Sequence, residues 1–442
     1  MSNGTSTVAP DPPAWSPSTL AVHADDSIND STDVAPALHV STTFRYPDDP
    51  EALRPVGSES PRVPSDSYTH TDQSKPPDHD DSTQSPRDAH VYSRETAPNT
   101  SRLEAILSSL LGAHTLTYTS GLAAFHALLV HLQPRVVAIG AGYHGCHGVL
   151  AIHRRLTGCK IVDLFDEKSW AGGGTETEQA WRLGAGDIVH VETPVNPTGT
   201  AFNLQHFASV AHARGALLTV DSTLAPPPLQ DPFAAGADFV LHSGTKYIGG
   251  HSDMLCGVLA TRSRPAHRAL SADRTYLGSV MGSLEGWLGV RSVRTLELRV
   301  LRQSANATAL ARFLHSLARR DPPAAADPDL AAVVARVVEK VEHASLQHAD
   351  MDWLGAQMPG GFGPVFAIWM KTPELARRLP GRLRLFHHAT SLGGVESLIE
   401  WRRMSDRAVD ERLLRVSVGV EDWEDLREDL LAGFRALAEE QK

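Results

Sequence analysis

The sequence predicts an α/β fold with a mostly parallel central sheet and a smaller C-terminal α/β domain. Three observations carry this. Short, almost continuously apolar runs recur between residues 135 and 244, and helical patterns lie between several of them. Alternating strands and helices of this kind argue for a parallel sheet covered on both faces. After about residue 275 the texture shifts to long helical patterns with fewer strands.

Residues 1–54 read as an N-terminal arm with a disordered start, since its first fifteen or so residues are mostly Ser, Thr, Pro and Gly. Residues 19–45 show no clear helix or strand period and read as an extended arm packed on something else. Residues 55–89 contain no Ile, Leu, Met, Phe or Trp, and are full of Pro, Ser, Asp and His. Such a segment cannot bury enough apolar surface to offset its ordering entropy, so it reads as a flexible low-complexity insertion.

A large domain is expected over 90–280. SRLEAILSSLLGA (101–113) has helical spacing, with Gly112 marking its end, and SGLAAFHALLVHL (120–132) is also helical. RVVAIGAG (135–142), KIVDLF (160–165), DIVHVETP (187–194), ALLTVDST (216–223) and DFVLHSG (238–244) read as buried strands, with FNLQHFASVAHARG (202–215) as an intervening helix. Glu192, Asp221 and Ser243 sit at the carboxyl ends of these runs, where open α/β sheets bind their ligands. A C-terminal domain is expected over 281–442: one or two helices in 282–320, strands at VFAIWM (365–370) and RLLRVSVGV (412–420), and an amphipathic helix over 421–440.

Composition narrows the function. At 442 residues the chain suggests two or three units, and 41% hydrophobic with 21% charged residues is ordinary for a soluble protein. The net charge of −11 gives no support for nucleic-acid binding or for an anionic membrane surface. Cys146, Cys159 and Cys256 are too few and too scattered for a disulfide framework. No apolar stretch is long enough for a membrane span and the N-terminus lacks a secretory core, so a cytoplasmic protein is expected.

The most informative stretch is HSGTKYIGGHSD (242–253). Lys246 follows a strand, with hydroxyls at Ser243 and Thr245 before it and Gly249 and Gly250 after it. A lysine there suits a nucleophilic amine that forms a Schiff base, and the hydroxyls suit a phosphate. A surface lysine in a glycine-rich turn is the plainer alternative. Asp221 at the end of ALLTVDST can face a ring nitrogen, or simply serve as a turn residue. TSGLAAF (119–125) sets Ser120, Gly121 and Leu122 before a helix, which makes either an anion site or an ordinary serine N-cap.

Together these segments resemble the Cys/Met-metabolism family of pyridoxal-phosphate enzymes, the cystathionine γ-synthase and γ-lyase group. The similarity includes AVHADD and VSTTFRY near the start, VYSRE (91–95), ETPVNPTG (192–199), TSLGGVESLIE (390–400) and LLRVSVGVED (413–422). The matches run in the family's order and span almost the whole chain outside the insertion. YHGCHG, GTKYIGGHSDMLCG and GGVESLIEWRRMSD are most similar to fungal cystathionine γ-synthase-like proteins.

The resemblance implies an aspartate-aminotransferase-like fold of type I, with pyridoxal 5′-phosphate (PLP) bound in the 90–280 domain. It implies that Lys246 holds the cofactor as a Schiff base and that Asp221 pairs with the pyridinium nitrogen. Gly121, Leu122, Ser243 and Thr245 would bind the phosphate, with Ser120 and Thr223 in the same cofactor set. Tyr143 would stack on the ring and assist catalysis, and Asn196 would lie near the ring hydroxyl. Tyr92 and Arg94 would reach the phosphate of a neighbouring subunit, within a homotetramer built from two active dimers. Arg415 would clamp the substrate α-carboxylate, as its planar fork suits. Ser391 and Thr390 would lie on the substrate side.

Other readings stand beside these. Arg415 can be a strand residue in a surface salt bridge, Tyr143 a core aromatic, and His387 and His388 either pocket-mouth contacts or strand-end residues. The His144, Cys146 and His147 cluster fits no common zinc spacing, so no metal is expected.

Departures from the family pattern fall on the substrate pocket more than on the cofactor cradle. The turn after Arg94 is altered, and His144-Gly145-Cys146-His147 replaces the usual glycines. Ser222 follows Asp221 where Asn is common, Thr390 stands where many lyases have Glu, and Met404-Ser405-Asp406 replaces a Met-Thr-His stretch. The expected activity is γ-replacement on an O-activated L-homoserine by cysteine or another nucleophile. The alternatives are a cystathionine γ- or β-lyase and, in a different class, a catalytically silent PLP-binding scaffold. A nucleotide-binding Rossmann domain is disfavoured because no G-x-G-x-x-G follows an early strand.

Overall fold

The computed structural model describes residues 15–29, 31–53, 90–167, 170, 182–318 and 328–441. The expected disordered start (residues 1–14) and the 55–89 insertion lie outside the described residues.

The arm is not extended throughout. It opens with α1 (Pro17–His23), for which Pro17 supplies a preset first-turn φ. Asp25 just after it is fully buried, and its carboxylate accepts from Arg102 Nε at 2.6 Å. That ion pair ties the arm to α2 (Pro98–Leu111), whose left-handed cap is Gly112 at φ 58°.

A seven-stranded sheet follows. In chain order come β1 (His114–Tyr118), α3 (Gly121–Leu132), β2 (Val136–Ile139), α4 (His144–Thr157), β3 (Lys160–Asp163) and β4 (Ile188–Glu192). Then come α5 (Leu204–His212), β5 (Leu217–Asp221), β6 (Phe239–Ser243), β7 (Gly257–Thr261) and α6 (Arg264–Leu277). The strand order is β1-β7-β6-β5-β4-β2-β3, and β7 alone runs antiparallel to its neighbours. Both faces are covered. On β2, Val136 and Ala138 enter one core while Val137 and Ile139 enter the other. That is why these strands read as continuous apolar runs.

Two helices, α7 (Ser283–Val293) and α8 (Leu296–Ala318), resolve the long helical stretch into a pair. Then follow α9 (Pro328–Val337), β8 (Val338–Glu342), α10 (Met351–Gln357), β9 (Val365–Met370), α11 (Pro373–Arg378), β10 (His387–His388), β11 (Leu398–Trp401), β12 (Leu413–Ser417) and α12 (Trp423–Glu440). The second sheet is ordered β10-β11-β12-β9-β8 and is antiparallel except at the β10–β11 pair. The closing helix packs Leu426, Leu430, Phe434 and Leu437 onto this sheet, on the face carrying Phe366, Ile368, Leu414 and Val416. Each such buried side chain contributes about 1.5–3 kcal/mol.

Strands β1, β7, β8, β10 and β11 and helices α4, α6, α9, α10 and α11 were not among the expected elements. His387 and His388 form the exposed strand β10 and do not line the cavity described below. Among the described residues, no helix is long and apolar enough to cross a membrane.

Candidate active site

Parallel strands put their carboxyl ends at one edge, and here three polar residues arrive together. Glu192 pairs in register with Asp221 on the next strand, and Ser243 ends β6 beyond it. Beside them opens a cavity of about 480 Å³. Ser120, Gly121, Leu122, Tyr143, Asn196, Asp221, Thr223, Ser243, Thr245, Lys246, Thr390, Ser391 and Arg415 all line it. The sequence-predicted residues absent from the lining are Tyr92 and Arg94.

Each wall has a local cause. Ser120 Oγ accepts the Ala123 N–H at 3.1 Å, so the serine is an N-cap as well as part of the lining. The first turn of α3 meets the end of β6 closely. A Cβ on Gly121 would lie 3.1 Å from Ser243 Cβ, and one on Gly257 would lie 2.0 Å from the Ser120 carbonyl. The helix N-terminus therefore enters the cavity between small residues. Thr245 is engaged with Cys256, its hydroxyl accepting that residue's N–H at 3.0 Å.

At the other end, Asp221 Oδ1 accepts from Thr223 N at 3.0 Å and from Thr223 Oγ1 at 2.5 Å. Burial raises the Asp221 pKa, and these two bonds oppose the rise. Glu192 accepts the backbone N–H of Tyr143 and of Asn196, each at 2.7 Å, one on each oxygen. Burial and the neighbouring Asp221 raise its pKa. One carboxylate thus anchors two lining residues. Asn196 Oδ1 is buried and has no partner in the protein. Burial also raises the Tyr143 pKa, which keeps the phenol protonated at neutral pH. His144 and Cys146 belong to the first turn of α4, and burial pushes the Cys146 thiol well up, away from thiolate.

Lys246 lines the same cavity. Its Nζ donates to Ser391 Oγ at 2.7 Å. Burial, aided by the positive charge of Arg415, draws its pKa down to about 8, while Glu400 opposes the fall. Ser391 has φ 72° and Gly393 φ 88°, so the loop makes a left-handed turn beside the lysine. A Cβ on Gly393 would lie 2.8 Å from the Lys246 carbonyl carbon. The Ser391 carbonyl also accepts from Arg415 Nη2.

Arg415 is buried and does form a salt bridge, but an interior one. Its Nη2 lies 2.8 Å from Glu400 Oε2, the residue opposite it on β11. Arg402 Nη1 reaches the same oxygen at 3.0 Å. All three side chains are 3% exposed. Arg402 and Ser405 line the cavity, and Glu400 does not. Sequence reasoning assigned no role to Glu400, Arg402 or Ser405. The only signal was the unusual GGVESLIEWRRMSD ending itself.

Tyr92 and Arg94 lie on a bridge to the arm, where Tyr92 pairs with Thr43. The Arg94 guanidinium sits 5.3 Å from the Tyr92 ring centroid, and Tyr92 is exposed.

Comparisons with known proteins show the family to which a chain with this fold belongs. The family described as Cys/Met metabolism PLP-dependent enzyme matches residues 18–435. A cystathionine β-lyase of Lactococcus lactis subsp. cremoris is 32% identical over 359 residues, covering 77% of this chain and 87% of its own. A cystathionine γ-lyase of Bacillus subtilis is 32% identical over 355 residues, covering 77% and 87%. The crystal structure of cystathionine γ-synthase from Xanthomonas oryzae pv. oryzae in complex with cystathionine superposes with a TM-score of 0.76. It is 27% identical and covers 97% of this chain and 100% of its own. The chain belongs to the Cys/Met-metabolism family of PLP-dependent enzymes, with the α/β fold of that family, and its cofactor is PLP.

Proposed function

We propose that this chain catalyses γ-replacement on an O-activated L-homoserine, with cysteine or another nucleophile, as a cystathionine γ-synthase does. The observation that carries the reading is the placement of Lys246. Its Nζ lies 2.7 Å from Ser391 Oγ, in a cavity lined by the carboxylates of Asp221 and Glu192 and by the buried arginines Arg402 and Arg415. Arg402 and Ser405 line the same cavity of about 480 Å³, beside the residues assigned to the first reactant.

The residues present fit PLP. Asn196 Oδ1 is an orphaned buried polar atom on the wall, and Gly121 and Gly257 keep the helix N-terminus free of Cβ atoms. In this reading Lys246 would bond the cofactor and Asp221 would pair with its ring nitrogen. Gly121, Leu122, Ser120, Ser243 and Thr245 would take its phosphate, Tyr143 would lie against its ring, and Asn196 and Thr223 would hold its polar edge. Bound there, PLP supplies an electron sink for negative charge developing on the substrate.

The protein's own groups do the rest. Arg415 holds the substrate α-carboxylate, with Ser391 and Thr390 beside it. Lys246 Nζ, with its pKa near 8, is partly unprotonated at neutral pH and moves protons between substrate Cα and Cβ. The Tyr143 hydroxyl, kept protonated by burial, donates to the departing oxygen. Tyr92 and Arg94 serve the site of a neighbouring subunit, within a homotetramer of two active dimers. Mixing Lys246→Ala with Tyr92→Phe subunits tests this: hybrid dimers would regain activity that neither parent has.

The relatives named lyases favour a second reading, elimination at a C–S bond, which uses the same residues without the second reactant. Purified protein with O-acetyl- or O-succinyl-L-homoserine, with and without cysteine, and separately with cystathionine alone, separates the readings. Cystathionine formed only with cysteine supports replacement. A 2-oxo acid and ammonia released from cystathionine, without a replacement product, moves the reading to the lyase. A Lys246→Ala protein with unchanged cellular activity would favour the silent scaffold.

A further inference from the structure

Arg415 and Arg402 share one oxygen of Glu400, at 2.8 and 3.0 Å. Two guanidiniums on one carboxylate leave the cluster with a net positive charge. The arginines line the cavity while the carboxylate between them does not. The substrate α-carboxylate, bound at Arg415, uses only one of the two. Arg402 is 3% exposed, and its Nε has no hydrogen-bond partner. Ser405 Oγ on the same wall is also buried and unpartnered. A buried guanidinium N–H left unmade is costly, and a planar donor beside a hydroxyl suits an incoming carboxylate.

We propose that Arg402 and Ser405 form a second anion site, which selects reactants carrying a carboxylate distal to the reacting carbon. The inference rests on reading the cavity as an amino-acid site, and it deepens that reading. The distal carboxylate can belong to the leaving acyl group or to the incoming thiol. The electrostatic surroundings agree: burial raises the pKa of both Tyr143 and Glu192, and the nearby Arg402 charge opposes each rise.

The test uses the holoenzyme and two unreactive amino acids, L-2-aminoadipate and L-norleucine, which differ in a terminal carboxylate. Binding is read from the visible band of the cofactor. The wild type should favour aminoadipate by at least about tenfold, the worth of one charge-assisted hydrogen bond. Arg402→Gln should bring that ratio to within about twofold, and Arg402→Lys should keep part of it. Ser405→Ala, which leaves the ion cluster intact, should lower the ratio by about threefold and guards against a misfolded arginine variant. A purely structural Arg402 would weaken both ligands alike.

Turnover then separates the two sources. If Arg402→Gln lowers the kcat/KM ratio of O-succinyl- to O-acetyl-L-homoserine, the carboxylate leaves with the acyl group. If it lowers the ratio of cysteine to cysteamine at a fixed ester, the carboxylate arrives with the thiol. Equal binding of aminoadipate and norleucine by the wild type overturns the anion site alone. No band change with either ligand overturns the amino-acid reading, and the anion site with it.

Discussion

Capture of PLP by the apoprotein should show a break in its pH dependence near 8. In the proposed reading the attacking group is the neutral amine of Lys246, whose pKa is drawn from 10.5 to about 8 by burial and by Arg415. At pH 7 an amine of pKa 8 is about 9% neutral and one of pKa 10.5 about 0.03%, a difference of about 300-fold in reactive species. The capture rate should therefore rise about tenfold per unit below pH 8 and flatten above it. Stopped-flow absorbance on apoprotein stripped of cofactor reads this without any amino-acid substrate. Arg415→Gln supplies the control. Removing the positive charge relieves one cause of the depression, so the break should move to higher pH. Glu400 keeps Arg402 as its partner in that variant, which protects the fold. A wild-type rate that climbs unbroken past pH 10, or an Arg415→Gln break at unchanged or lower pH, would refute the argument.

Arg415→Lys should lower kcat/KM for the amino-acid substrate by about thirtyfold or more, because an ammonium cannot reproduce the bidentate fork in a buried pair; steady-state kinetics reads it. Gly393→Ala forces a Cβ to 2.8 Å from the Lys246 carbonyl carbon at φ 88°, and should cost about 1–3 kcal/mol, seen as a lower thermal midpoint together with slower turnover. Ser391→Gly relieves a left-handed serine at φ 72°, so it should be more stable than Ser391→Ala by about 1 kcal/mol, while both lose the hydroxyl that holds Lys246. Glu192→Gln leaves one of the two anchored N–H groups facing an amide NH₂, and should cost about 1–3 kcal/mol, with weaker cofactor retention measured by dialysis.

Much of the large sheet is legible because each central strand is buried on both faces. VVAI, IVHVE and LLTVD leave little ambiguity about period. Edge strand β1 is not legible in the same way. Its Thr115 and Thr117 alternate with apolar residues, and the Thr117 hydroxyl is satisfied by Glu104 at 2.7 Å, a partner 13 positions away. Strand β7 opens on Gly257, which reads as a breaker until the Ser120 carbonyl is seen where its Cβ would stand. VEKVE in β8 carries three charges in five residues and reads as surface, since its buried positions are only Val338 and Val341.

The end of the site proposed for the cofactor is legible because it is built from local segments at strand ends. Lys246 and Asp221 each sit within a few residues of the run that positions them. Of the residues proposed for the substrate, Arg415, Ser391 and Thr390 are reached through the family resemblance, while Glu400 and Arg402 are not reached at all, because they acquire meaning only from register. Glu400 faces Arg415 across the β11–β12 pair, and nothing in the order of residues says that 400 and 415 are opposite. Ala367 pairs with Arg415 on the other side, so a small residue flanks a guanidinium that is 3% exposed. Arg402 sits in a run of charges that ordinarily marks a solvated face. Its burial comes at the 3-10 turn that follows β11 at Arg402–Met404, where Arg402 is the buried residue. The left-handed Ser391 then joins the two ends: its hydroxyl holds the Lys246 amine and its carbonyl holds Arg415. A serine kept at φ 72° between the two ends is strain stored at the point where the large sheet and the small one must agree in position. Through it, Arg415 on β12 and the lysine amine are held by one residue.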